Sequence, residues 1–291
     1  MANGKAAVLG TGIMGSAMAR NLLANSFRVS VWNRSEEKAG PLSDAGATVA
    51  NSASEAASEA DFLITMLPDA EVTAEVVADG VLDALAGGAV WVQTGTVGVE
   101  GCKKLQNLAL KKGTAFVDAP VLGTKQPAEA GELIVLASGP EEVSGRVAPV
   151  FEAIGRKTLW VGPVGAGSRL KLVTNGWIVG LLASLGETLA LAKELGVDPQ
   201  DFFGAIEGGP LDLPYAQMKS GLMISGDYET SFPLKLARKD AGLVTDAAGD
   251  TATKVIEAAA AYMDAAIEAG RGDEDMAAIH EGVLNLRDQA G

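Results

Sequence analysis

The stretch Lys5-Ala6-Ala7-Val8-Leu9-Gly10-Thr11-Gly12-Ile13-Met14-Gly15 decides the fold. A short, near-continuously apolar run reads as a strand covered on both faces, and the glycines behind it turn the chain into a helix over Met14–Ala24. Each glycine has its own task in such a unit. Gly10 makes the tight turn, Gly12 lets a pyrophosphate approach the backbone, and Gly15 lets helix and strand pack closely, while the helix N-terminus faces the phosphates. Among 36 glycines the Gly-x-Gly-x-x-Gly pattern alone says little; its place between a strand and a helix near the N-terminus gives it meaning. Thr11, Ile13 and Met14 complete this candidate cofactor loop.

Further apolar runs at Arg28–Trp32, Phe62–Met66, Val90–Gln93, Ala115–Asp118 and Leu133–Ala137 predict strands, and Ala70–Ala78, Val99–Lys111 and Glu141–Phe151 predict the helices among them. Strand–helix alternation implies right-handed crossovers and a doubly wound α/β domain over residues 1–163. After the glycine-rich stretch Gly162–Gly167 strand signals almost vanish. Ser168–Leu195 predicts one long helix stopped at Gly196, and Asp198-Pro199 starts the next. With helices over Leu234–Ala248, Thr251–Ala269 and Glu274–Arg287, residues 164–291 read as an all-α domain joined to the first by the long helix.

Composition narrows the function. The 291 residues include one Cys (Cys102) and one His (His280), which excludes an internal disulfide and any metal site built from several Cys or His. Cys102 is expected to be inert, and His280, far from every motif, to be exposed. The formal charge of −14 repels phosphodiester backbones, so nucleic acid is not an expected partner. The longest later apolar run, Leu170–Leu185, carries Lys171 and Asn175 and reads as a buried helix, so a membrane is not expected either. With no secretory signal visible, a cytoplasmic location is expected.

The ends of the strands carry the remaining candidates, because ligands of open α/β sheets sit at the carboxyl edge. After the second strand the chain reads Trp32-Asn33-Arg34-Ser35. An NAD enzyme places an Asp or Glu there to hold the ribose 2′-OH. Here Arg34 can pair with a 2′-phosphate, with Asn33 and Ser35 as neutral donors, so NADP(H) is the expected cofactor. Leu67 and Pro68, and Thr96 in Thr94-Gly95-Thr96, would line the cofactor and its nicotinamide. Lys171 and Asn175 are spaced i, i+4 and share one face of the long helix.

Four stretches in this order, Gly10–Leu22, Asp118–Gly131, Gly165–Asn175 and Phe232–Leu243, resemble the β-hydroxyacid dehydrogenase family along essentially the whole chain. In motif they look most like its glyoxylate/succinic semialdehyde reductase branch. The resemblance implies a Rossmann-type domain and an NADPH-dependent exchange between small aldehyde acids and hydroxy acids. It implies Lys171 as general acid and base with Asn175 in support, and a homodimer or homotetramer packed through long helices, for which the apolar stretch Trp177–Leu185 is suited. Substrate would be held by Thr96, by Leu122, Gly123 and Thr124, and by Phe232 and Asp240, with Lys239 approaching the cofactor. The family has a Ser where this chain has Leu122, so the carboxylate anchor loses a hydroxyl. Two other readings are an imine reductase, a related group that usually has Asp or Tyr in place of the Lys, and a non-catalytic NADP-binding interaction protein. Lys171 speaks against the first, and the Lys171/Asn175 pair, the acidic charge and the expected absence of an extra domain speak against the second.

Overall fold

The structure, a computed structural model, describes residues 3–78 and 80–289. The chain divides into two units, Met1–Lys171 and Leu172–Gly291.

The first unit is built on six parallel strands: β1 (Lys5–Leu9), β2 (Arg28–Trp32), β3 (Thr48–Val49), β4 (Phe62–Thr65), β5 (Val90–Gln93) and β6 (Ala115–Asp118). Their order across the sheet is β3-β2-β1-β4-β5-β6. That is the doubly wound dinucleotide-binding order, in which the sheet grows outward in both directions from β1. β4 and β5 are buried at every residue. Helices close both faces: α1 (Ile13–Ala24), the short α2 (Glu36–Ala39) and α3 (Ala53–Ala57), α4 (Ala70–Ala78) and α5 (Gly98–Lys111). One core lies on each side. Val8, Ile64 and Val92 share one with Met18 and Leu22 of α1, and Leu9, Leu63 and Trp91 share the other with Val77 and Leu105 of α4 and α5. Trp91 packs edge-on to Phe116, with ring centres 5.0 Å apart.

The register sets the working edge. Leu9 lies beside Trp32 and Thr65, Thr65 beside Gln93, and Gln93 beside Asp118. Five strand ends therefore stop in line. Pairing continues one residue further, from Gly10 N–H to Trp32 O (2.9 Å), Met66 N–H to Leu9 O (3.0 Å), Thr94 N–H to Thr65 O (3.0 Å) and Ala119 N–H to Gln93 O (2.8 Å). The loops at 10, 66, 94 and 119 thus leave from fixed points.

Leu133–Ala137 is a strand as expected but does not join this sheet. As β8 it lies between β7 (Val121–Leu122, antiparallel) and β9 (Gly155–Trp160, parallel), with α6 (Lys125–Glu129) and α7 (Ser144–Ile154) in the connections. The helix expected over Glu141–Phe151 starts instead as a 3₁₀ turn at Glu141–Val143 before α7. β9 escaped the sequence reading because it is polar and lies at a sheet edge, with Arg156, Lys157 and Thr158 exposed.

The second unit is helical. The long helix α8 (Ala166–Leu195) begins in the first unit and supplies most of its length to the second. α9 (Pro199–Ile206), α10 (Pro214–Ser225), α11 (Leu234–Ala247), α12 (Lys254–Ala266) and α13 (Ile279–Gln289) follow. Asp198 caps α9, its carboxylate accepting from Gln200 N–H at 2.8 Å, and Pro199 takes the first helical position. Of the stretch Trp177–Leu185, Val179, Leu182, Ala183 and Leu185 are buried in the core, whereas Trp177 is 68% exposed. His280 is a correction: it is buried, its Nδ1 3.1 Å from Gly186 O, because α13 packs directly on α8 where Gly186 offers no side chain. Burial lowers its pKa, opposed by that backbone contact.

Candidate active site

Side-chain size decides the glycine loop. Gly10 has φ of +97°, and a Cβ there would lie 2.3 Å from Met66 O. A Cβ on Gly15 would lie 1.8 Å from Gly10 O, which would force α1 off the strand. Gly12 differs: nothing lies within 4 Å of its Cβ position. It borders open space at the N-terminus of α1, where no side chain caps the helix. Four N–H groups at such an end need partners, and an anion there is favoured by the helix dipole. The Thr11 hydroxyl is buried without a hydrogen-bond partner, while Thr11 N–H donates to Asn33 Oδ1 at 3.1 Å. An uncapped helix start, an open Gly12 and a buried hydroxyl fit a dinucleotide pyrophosphate. Ile13 is 39% exposed on this loop. Met14 packs partly into the core behind it, and Met18 is fully buried, its sulfur 3.9 Å from Thr94 Oγ1.

Asn33 acts between loops, since its Nδ2 donates to Ser35 O at 3.1 Å while its Oδ1 holds Thr11. Ser35 sits at the N-cap of α2 without making the side-chain cap. Arg34 is exposed and makes no hydrogen bond or ion pair among the described residues. Glu36 and Glu37 begin α2, and no carboxylate stands at Asn33 or Arg34.

On the other side of β1, Leu67 is half-buried and Pro68 exposed. The turn at Thr94–Thr96 is braced from below by a buried polar chain. Trp91 Nε1 donates to Thr65 Oγ1 (2.9 Å), Thr65 Oγ1 donates to Gln93 Oε1, and Gln93 Nε2 donates to Gly95 O (3.2 Å). Gly95 has no room for a side chain, with Leu67 O 2.8 Å from its Cβ position. Leu122 is half-buried in β7, and Gly123 has φ of +122° with Leu133 and Pro127 closing on its Cβ position. Thr124 starts α6 without a side-chain cap.

Asp118, Ser138 and Ser168 form a cluster that the sequence reading missed. Asp118 is fully buried at the end of β6. Its Oδ2 accepts from Ser168 N–H (2.8 Å), its Oδ1 from Ser168 Oγ (2.8 Å), and Ser138 Oγ lies 3.1 Å from Oδ2. Ser138 Oγ in turn accepts from Gly167 N–H at 2.9 Å. Two free N–H groups of the first turn of α8 are therefore capped from strand ends, where a cap is worth ~0.5–2 kcal/mol. Burial pushes the Asp118 carboxyl above its ordinary pKa, and the hydrogen bonds from Ser168, Ser138 and the Cys102 thiol pull against that. Cys102 is buried in α5, and burial, reinforced by the Asp118 charge, pushes its thiol pKa up. Its thiolate is strongly disfavoured, which suits the inert role expected for it.

Lys171 is half-buried on α8, one turn before Asn175. In the second unit Asn175, Lys239 and Asp240 come together. Asn175 Nδ2 donates to Asp240 Oδ2 at 2.8 Å, and Asp240 Oδ1 lies 2.9 Å from Lys239 Nζ. Asp240 is 2% exposed and Lys239 about a quarter. Asp240 thus neutralises Lys239 and orients Asn175. Phe232 packs at the border of the helical core, just before α11. Its segment is tied down by a second unforeseen group: the buried Lys219 Nζ lies 2.6 Å from Asp275 Oδ1, and Asp275 Oδ2 accepts from Ser231 N–H (3.0 Å), Ser231 Oγ (2.6 Å) and Phe232 N–H (3.3 Å). Burial alone would raise the Asp275 pKa, but the Lys219 charge and these hydrogen bonds hold it below the ordinary carboxylate value.

Comparison with known proteins agrees with this geometry. Residues 5–162 match the family described as the NAD binding domain of 6-phosphogluconate dehydrogenase, and residues 165–282 match the NAD-binding domain of NADP-dependent 3-hydroxyisobutyrate dehydrogenase. Glyoxylate/succinic semialdehyde reductase 1 of Arabidopsis thaliana is 35% identical over 284 residues, covering 96% of this chain and 98% of the reductase. The solved structure of Mycobacterium tuberculosis 3-hydroxyisobutyrate dehydrogenase with L-serine has a TM-score of 0.86 at 29% identity, covering 97% of this chain and 99% of the other. The structure of Psf3 in complex with NADP⁺ and 2-OPP has a TM-score of 0.86 at 25% identity, over 96% of this chain and 99% of that one. The cofactor is NADP(H), and the reaction class is NAD(P)-dependent oxidoreduction of a CH–OH group. A six-stranded sheet in dinucleotide-binding order, a glycine loop open at Gly12, and two family models that together cover residues 5–282 but for two between them make it a member of the β-hydroxyacid dehydrogenase family.

Proposed function

We propose that this chain reduces small aldehyde acids, such as glyoxylate or succinic semialdehyde, to hydroxy acids with NADPH, using Lys171 as the proton donor. The observation that carries the reading is the trio Asn175–Asp240–Lys239, joined by one hydrogen bond and one ion pair, which starts one helical turn after Lys171 on the same helix. The 35% identity to the Arabidopsis reductase supports the substrate class. When bound, NADPH supplies a hydride for the carbonyl carbon. Charge then builds on the carbonyl oxygen, and the Lys171 ammonium stabilises it and gives up a proton there. In the oxidative direction the same amine works neutral and takes the alcohol proton. Asn175, its amide oriented by Asp240, holds amine or substrate by a neutral hydrogen bond. Thr96, the Gly123 and Thr124 amides and the Thr124 hydroxyl bind the acid group, and Leu122 gives that end of the site an apolar wall. Phe232 closes over the substrate. Arg34 takes the 2′-phosphate.

The test is a panel of aldehyde acids and uncharged aldehydes, each with NADPH and NADH, run on wild type and Lys171→Met. The Met keeps helix and length but carries no proton, so kcat/KM should fall ~10²–10⁴-fold, the usual contribution of general acid catalysis. A variant within a tenth of wild type, or a wild type that turns over no aldehyde acid, overturns the reading.

Val173, Trp177, Leu191 and Leu195 are exposed apolar residues along α8. They support packing of a second copy against this helix, as a dimer or tetramer. Light scattering should give a mass of two or four chains, and Trp177→Glu should lower it; a wild type that runs as a monomer refutes this.

A further inference from the structure

We infer that Asp118 is a positioning residue for Lys171: its buried carboxylate, with the Ser138 hydroxyl, fixes the first turn of α8 and through it the place of the amine. The inference rests on the reading of Lys171 as proton donor.

The first turn of a helix is weakly held, because its N–H groups have no partner within the helix. In α8 the N–H groups of Gly167 and Ser168 are taken by Ser138 Oγ and Asp118 Oδ2, and the Ser168 hydroxyl binds the second carboxylate oxygen. Both partners belong to strand ends. Asp118 closes β6, Ser138 follows β8, and the two exchange backbone hydrogen bonds of 2.8 and 2.9 Å. Contact distance holds the turn as well: a Cβ on Gly167 would lie 2.2 Å from Leu136 O and 3.0 Å from Asp118 O. The helix backbone rests on the two strand ends with no side chain between. Lys171 follows Ser168 by three residues, about 4.5 Å along the axis at the ordinary rise.

For stability alone, a Ser or Asp just ahead of α8 would serve as well, as Asp198 does for α9. Drawing the cap from Asp118 does something that a local cap does not. Asp118 lies four residues before Leu122 and is the register partner of Gln93, which braces Gly95. One buried carboxylate therefore ties the start of the lysine helix to both loops proposed to bind the acid group. A proton donor works only close to its acceptor, and a misplacement of ~1 Å can cost ~10²-fold in rate.

Asp118→Asn in the full chain tests this, because it replaces an acceptor with an amide group where α8 presents N–H donors. With the aldehyde acid that turns over fastest, kcat should fall ~10²-fold while NADPH affinity, read by fluorescence titration, changes less than about threefold. In a Lys171→Met background the same substitution should cost little more, since residues that act through one another are not additive. A lowered melting temperature with unchanged kcat, or a loss that adds in full to that of Lys171→Met, overturns the inference and leaves a structural cap. If Asp118→Asn does not fold, Ser168→Ala and Ser138→Ala carry the same two comparisons with smaller losses, and Ser168→Thr, which keeps the hydroxyl, should recover kcat. Should Lys171→Met retain activity, the proton-donor reading falls and takes this inference with it; a dead Lys171→Met beside an unimpaired Asp118→Asn removes this inference alone.

Discussion

Around Gly10–Gly15 the backbone makes the site, whereas in the helical unit Asn175, Lys239, Asp240 and the Phe232 segment are held in place by side chains gripping one another. In the first region, specificity comes from what is missing. Two glycines have no room for a Cβ, a third faces open space, and the helix start lacks a cap of its own. In the second it comes from what is paired: Asn175 with Asp240, Asp240 with Lys239, and Lys219 with Asp275. A backbone site should fail when atoms are added. A side-chain site should fail when a partner is removed.

The largest effect is expected at Gly15. A methyl 1.8 Å from Gly10 O cannot be accommodated without moving α1 off the sheet. Gly15→Ala should cost more than ~4 kcal/mol, at the extreme of single substitutions, and abolish NADPH binding with the loss of fold. Gly12→Ala has free space around its methyl and a negative φ, so its melting temperature should stay near wild type while NADPH binding weakens. Thermal melts and fluorescence titration of the two variants separate packing from ligand space; equal melting losses would break the distinction.

Next comes Lys219. It is 1% exposed and its partner Asp275 fully buried, so Lys219→Met leaves a buried carboxylate without its cation. Removing one partner of such a pair typically costs ~3–5 kcal/mol. In wild type the depressed Asp275 pKa means a contribution present above the ordinary carboxylate pKa and lost as pH falls through the folded-state value. The variant should lack it, so chemical denaturation should show its largest deficit at neutral pH and a smaller one in acid. A deficit below ~1 kcal/mol at neutral pH, the worth of an exposed pair, would show that the grip on Ser231 and Phe232 does not depend on the cation.

The same contrast explains what could be read from the sequence. Strands β1, β2, β5, β6 and β8 have the bounds that their apolar runs predicted, because strands buried on both faces read as short, mostly apolar runs, with most of their few polar residues at the ends. The glycine loop was legible since steric demand links residue type to position. β3 and β7 were not, being two residues long, nor was the placement of β8 in a separate sheet, which depends on its neighbours in space. The pairings Asp118–Ser168 and Lys219–Asp275 join residues 50 and 56 positions apart, and a single sequence carries no signal of such distant partners. Asp118 could be read as the last residue of a strand and the start of the Asp118–Gly131 stretch, but nothing pointed from it to Ser168, and nothing in the sequence singled out Lys219. His280 misled for the same reason: whether it is buried depends on α8, and its own helix does not say.

The smallest of the expected effects concerns Arg34, where the two regions' logics meet, since a side chain serves a backbone-built site. The guanidinium is exposed and makes no hydrogen bond or ion pair among the described residues, so its removal should leave the fold untouched. Asn33, expected as a neutral donor there, is occupied between Thr11 N–H and Ser35 O. In the proposed reading, discrimination for the 2′-phosphate therefore rests mainly on Arg34. Arg34→Ala should weaken NADPH by ~1.5–3 kcal/mol, the worth of hydrogen bonds to a charged group, and leave NADH nearly unchanged. Being exposed, the contact is also screened, so the NADPH advantage of wild type should shrink with added salt and that of the variant should not. Fluorescence titrations of both proteins with both cofactors at two salt concentrations give the comparison. Equal losses for NADPH and NADH would mean that Arg34 stacks on the adenine that both share, and cofactor choice would then rest with the backbone of the 33–35 loop.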